Sequence, residues 1–191
     1  LLAHGLGRLV RDGIVPMNVQ VGQSWLEGNL AIFEEHLYAE VVQQVLRQAL
    51  SQLATQRPPQ PPRVLLTTVP GEPHGLGLLI AECEMALAGC DTLALGVQTP
   101  LTEIVAAALA CRADVVALGF SAVLSPREVR AALVQLRDQL PAERALWSGG
   151  LCPTLKTTGR GSLKLAGYRH PPQLDYIAPA VSHAPPTQAQ P

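Results

Sequence analysis

From Leu1 to Leu53 the apolar residues recur at helical spacing, and in the clearest stretch, Ala31 to Leu53, Ile32, Phe33, Leu37, Val41, Val42, Val45 and Leu46 share one broad stripe. A helix with such a stripe has to pack on something. Asn29 is placed to cap its N-terminus, while Gly13, Pro16 and Gly22 punctuate the residues before it. A small helical bundle, of the four-helix kind, is the form expected of residues 1–55. Leu1 to His4 already read as the interior of an apolar helix, so the chain is expected to be a piece of something longer.

Residues 56–62 read Gln-Arg-Pro-Pro-Gln-Pro-Pro. Each proline lacks an amide donor and restricts the residue before it, so this stretch predicts an extended linker. Beyond it the pattern changes to short apolar runs alternating with helix-length segments. Val64 to Val69, Thr92 to Val97, Val115 to Phe120 and Ala145 to Ser148 read as buried strands, with Asp175 to Ala178 a weaker fifth. Leu76 to Ala88, Leu101 to Cys111 and Pro126 to Leu140 read as the helices between them. The class is therefore α/β: a helical bundle followed, over residues 63–183, by a doubly wound parallel sheet of Rossmann-like or flavodoxin-like type, with residues 184–191 as a flexible tail. In such a sheet the chemistry sits in the loops at the carboxyl ends of the strands.

Composition narrows the function. Fourteen Lys and Arg against fifteen Asp and Glu give a net charge of −1, without the basic cluster that phosphate neutralisation needs, so no direct nucleic-acid binding is expected. Cys83, Cys90, Cys111 and Cys152 match neither zinc nor redox spacing and read as buried thiols of a reducing cytoplasm. No apolar run approaches a membrane span. No nucleophile–base pair is evident, and a chain of 191 residues has no room for a substrate barrel beside the sheet, so an enzyme is not expected.

The loop after the first strand reads Val69-Pro70-Gly71-Glu72-Pro73-His74-Gly75-Leu76-Gly77. Pro and Gly hold the histidine on a loop, and a carboxylate two residues earlier can orient its ring, as partners of metal-bound histidines do. Ser121 and Val123 follow the third strand, and Gly149 and Gly150 the fourth.

Glu72-Pro73-His74-Gly75-Leu76-Gly77 resembles the Asp/Glu-x-His-x-x-Gly motif of base-off cobalamin-binding domains, with Ser121-Ala122-Val123 at that family's Ser-x-Leu element and Gly149-Gly150 at its glycines. The resemblance covers about Arg63 to Ala180. It implies that His74 is the lower cobalt ligand and that the displaced nucleotide base threads into a slot near Ser121, whose hydroxyl would meet it. Gly77, Gly149 and Gly150 would let backbone approach that tail closely. Trp25, nine intervening residues, then Glu35-His36 resembles the Trp-x9-Glu-His signature of the light-sensing domains of CarH-type photoreceptors, in which a helical bundle covers the upper ligand. Leu26 stands where well-known members carry a cobalt-capturing His, which puts that capture in doubt.

This resemblance implies an alkylcobalamin, adenosylcobalamin first and methylcobalamin or hydroxocobalamin otherwise. Photolysis would switch conformation or the state of a homo-oligomer, and the output would be transcription or another response, through a partner or an effector segment outside this sequence. A corrinoid carrier for methyl transfer is the rival reading. A module that senses cobalamin itself or holds a second chromophore is a third.

Overall fold

A computed structural model describes residues 2–56, 58, 60–150 and 152. It opens with a nearly unbroken helical rod made of α1 (Leu2–Arg8), a π-helical turn (Leu9–Ile14) and α2 (Val15–Leu26). A tight turn with Gly28 at φ +74° reverses the chain into α3 (Ile32–Gln56). Among the described residues the helical segment is thus a two-helix hairpin, and the four helices expected are not present. Asn29 is not the cap of α3: the helix starts three residues later, where the Glu34 carboxylate accepts the Ala31 N–H at 2.8 Å.

The strands are β1 (Gln60–Thr67), β2 (Cys90–Gly96), β3 (Val115–Phe120) and β4 (Ala145–Gly150), all parallel in the order β2-β1-β3-β4. Strand β1 takes Gln60 to Pro62 from the expected linker. The two prolines fall within a register shift between Gln60 and Arg63, where no regular ladder bond is asked of them. Gly149 and Gly150 are the last residues of β4 rather than a loop after it. The expected fifth strand, residues 175–178, lies outside the described residues.

Helix α4 (Leu76–Leu87) covers one face of the sheet; α5 (Leu101–Ala110) and α6 (Pro126–Gln139) cover the other. The alternation of the strands produces both faces. Leu65, Val116, Leu118 and Leu146 pack toward α5 and α6, whereas Val64, Leu66, Val115 and Ala117 pack toward α4. Ser125 and Glu128 form a reciprocal capping box that starts α6 at Pro126.

The hairpin stacks on the outer side of α4, where Leu6, Val10, Ile14, Val42, Leu46 and Leu53 bury against Leu79, Ile80 and Cys83. Arg11 clamps the contact with a bidentate ion pair to Glu84, at 2.6 Å from Nη2 and 3.0 Å from Nε. The stripe of α3 is used only in part. Val42 and Leu46 are buried, but Ile32, Phe33, Leu37, Val41 and Val45 are 42–65% exposed, because α4 and the first rod meet α3 on one side only.

Candidate functional site

The loop after β1 is fixed by its own polar groups. Thr68, fully buried, donates its hydroxyl to the Glu72 carbonyl at 2.6 Å and accepts the Gln98 N–H at 2.8 Å, tying the loops after β1 and β2 together. Gly71, at φ +83°, makes the turn that brings the chain back over the sheet edge.

Glu72 then points inward with no exposed surface. One carboxylate oxygen faces His74 Nδ1 at 2.7 Å and accepts the His74 N–H at 3.2 Å; the other accepts the Ser121 N–H at 2.6 Å. Burial pushes this carboxyl up, but the bonds from His74 and Ser121 together outweigh it and hold it below the ordinary carboxylate range. The pair sets the imidazole's orientation. With Nδ1 engaged, Nε2 is the ring nitrogen that can ligate a metal.

His74 opens on a cleft of about 500 Å³ between this loop and the hairpin. Pro73, Gly75 and Gly77 line one wall, and Glu35 and His36, from the first turn of α3, line the other. His36 is mostly exposed and Glu35 mostly buried, with His36 Nε2 and Glu35 Oε2 3.7 Å apart. Trp25, half-buried near the end of α2, is not part of the cleft lining, and Leu26 beside it is 61% exposed.

Three polar residues of the cleft lining were not singled out as ligand contacts in the sequence. Asn18 of α2 is a buried polar residue on the cleft wall, and Glu40 and Gln43 of α3 continue the face begun by His36. The spacing 36, 40, 43 is one helix face, so the last two were accessible in principle from the position of His36.

A second, much narrower crevice of about 20 Å³ lies between α4 and the sheet. Gly77, Gly119 and Gly149 line it together with Leu78, Met85 and Trp147. Ser121 is not on its wall: its hydroxyl accepts the Val123 N–H at 3.1 Å, and Val123 itself is 40% exposed. Gly150 is also outside it. There φ is +127° and a Cβ would run into the Phe120 carbonyl, so this glycine serves the close approach of β4 to β3.

One imidazole oriented by a buried carboxylate, a broad cleft above it and an apolar crevice beyond it suit a planar macrocyclic metal cofactor that brings most of its own ligands. The donor set fits cobalt in cobalamin. The profile of a B12 binding domain matches residues 2–50. The HTH-type transcriptional repressor CarH of Myxococcus xanthus is 33% identical over 138 residues, covering 72% of this chain and 45% of that protein. The repressor CarA of the same organism is 34% identical over 104 residues, 54% of this chain and 35% of the relative. A crystal structure of a cobalamin-binding protein from Desulfitobacterium hafniense aligns with a TM-score of 0.46 at 18% identity, over 88% of this chain and 77% of that one.

The match over residues 2–50 and the identity with CarH and CarA support a cobalamin-binding domain of the CarH type. The chain spans less than half the length of the curated relatives it matches, both of which are named as repressors rather than enzymes. Among the described residues no helix is long and apolar enough to cross a membrane.

Proposed function

We propose that this chain is the light-sensing part of a transcriptional regulator, holding an alkylcobalamin, adenosylcobalamin first, in the base-off form with His74 beneath cobalt. The observation that carries the reading is the opposition of two pairs across one cleft: Glu72–His74 on the sheet side and Glu35–His36 on the hairpin side. Glu72 fixes the imidazole so that Nε2 serves the metal, and Gly75 and Gly77 keep that wall free of bulky side chains. Glu35 and His36 cover the upper group, and Trp25, set back from the cleft lining, supports that cover from the end of α2. When bound, the cofactor supplies a photolabile cobalt–carbon bond.

Because the hairpin contributes one wall of the cleft, loss of the upper group removes contacts made by α3, and the hairpin's packing on α4 is what responds. A ligand shifts such an equilibrium only by its differential affinity for the two arrangements, which the upper group provides. The output passes to a homo-oligomer, a partner or a DNA-reading segment outside this sequence.

Protein reconstituted with adenosylcobalamin in the dark should show a histidine-ligated absorption spectrum, and green light should change both spectrum and hydrodynamic size. Leu26, exposed where a cobalt-capturing His would stand, favours one rival, a corrinoid carrier for methyl transfer. Photolysis without any change of size or shape would establish that rival over the sensor.

A further inference from the structure

Val15, Asn18 and Gly22 fall on one face of α2, and all three are buried. Within the hairpin Asn18, at 6% exposure, is the one buried polar residue among those described. Its neighbours on that face explain the burial but give it nothing to bond: Val15 is apolar, and Gly22, one turn on, adds no side chain. On the sheet side Thr68 and Glu72 are buried too, but engaged, Thr68 with the Glu72 carbonyl and Glu72 with His74 and Ser121. The Asn18 carboxamide has no hydrogen-bond partner among the described residues, and the residue lines the cleft on which His74 opens. A buried carboxamide left unpaired is costly, and an apolar side chain would fill the same seam without that cost. The group that satisfies it is therefore one that enters the cleft.

We infer that Asn18 is a specificity-determining residue for the upper group of the cofactor, its carboxamide reading the adenine edge of an adenosyl ligand. The inference rests on the alkylcobalamin reading proposed above and names the residue that decides which alkyl group is held. Asn18 stands on the hairpin wall and His74 on the sheet wall of one cleft, so the face of the ring away from His74 is the one turned to Asn18. The chemistry is complementary. An asparagine side chain presents a donor and an acceptor side by side, and adenine presents its N7 acceptor beside its amino donor, so two parallel hydrogen bonds form. A methyl group offers neither and leaves the carboxamide unpaired.

The test measures, in the dark, how tightly the full chain and Asn18→Leu bind adenosylcobalamin, methylcobalamin and the deoxyinosyl analogue, in which a carbonyl replaces the adenine amino group. The unaltered chain should bind adenosylcobalamin about tenfold more tightly than the inosyl analogue, the discrimination expected of one bidentate pair. Asn18→Leu should lose that discrimination while binding methylcobalamin as before. Should leucine not fit the seam, Asn18→Ala, which suits a helix and carries no polar atom, takes its place with the same expectation. An unaltered chain that does not discriminate, or a variant that still does, overturns the reading of adenine by Asn18 and leaves the cobalamin reading intact. An equal loss for all three cobalamins also overturns it and assigns the carboxamide to the amide arms of the corrin, which the three share. A chain that binds none of the three overturns the cobalamin reading itself.

Discussion

Glu72 and Ser121 are 49 positions apart, and a 2.6 Å bond from the Ser121 N–H to the Glu72 carboxylate joins the loop after β1 to the loop after β3. Because the other oxygen of the same carboxylate holds His74, the histidine is referenced to two strands rather than to its own loop. Replacing Glu72 with Gln puts an amide NH2 in place of one of the two accepting oxygens. We expect Glu72→Gln to lose roughly 2–3 kcal/mol of stability in urea denaturation, as a buried charge-assisted bond should. It should also weaken the histidine-ligated cobalamin spectrum.

The same carboxyl predicts an acid response. Its folded-state value lies below that of an unfolded glutamate, about 4.3, so its contribution is present above that pH and is lost as the pH falls through the lower folded value. The stability gap between the unaltered chain and Glu72→Gln should be constant from pH 7 to about 5 and should shrink below about 4. Thermal melts of both proteins across that range check the sign. A gap that widens on acidification contradicts it.

Arg11 and Glu84 hold the hairpin to α4, with Arg11 56% exposed and Glu84 8% exposed at their side chains. Removing the cation strands the mostly buried carboxylate. Arg11→Ala should cost about 1–2 kcal/mol, between the exposed and buried cases of an ion pair. Replacing both residues, Arg11→Met with Glu84→Leu, should cost less than the single change, and hydrogen exchange along α2 and α3 should rise in Arg11→Ala first.

His74→Ala should abolish the histidine-ligated spectrum. Trp25→Ala should still bind cobalamin yet change the photoproduct or the light-driven change in size. Identical light responses in Trp25→Ala and the unaltered chain would assign Trp25 to hairpin packing.

Cys83 is buried between the hairpin and α4, and burial, helped by Glu82 and Glu84 nearby, pushes its thiol up to about 12. Iodoacetamide at pH 8 should therefore spare Cys83 in the native protein while modifying the partly exposed Cys111. Mass spectrometry after brief labelling reads this directly.

The sheet was legible because its strands are runs of apolar residues with helix-length spacers. The expected bounds of β1 to β4 and of α4 to α6 differ from the structure mainly at element ends, apart from the strand's extension into the prolines. The Glu72–His74 pair was legible for a local reason, a carboxylate two residues before a loop histidine. What the pattern could not convey was which side of a helix finds a partner. Phe33 and Leu37 look as buried in the sequence as Leu46, but only Leu46 meets α4. Asn18 escaped for the same reason: it is a polar residue within a helix, and only the assembly of the elements sets it on the wall of the cleft.

Helix α4 presents Leu79, Ile80 and Cys83 to the hairpin and Leu78 and Met85 to the sheet and its crevice. It is a partition wall with a room on each side, and its first turn begins at the loop that carries His74. Any shift of this rod toward the crevice therefore moves the surface on which the hairpin rests, and the two sides of α4 cannot be repacked independently.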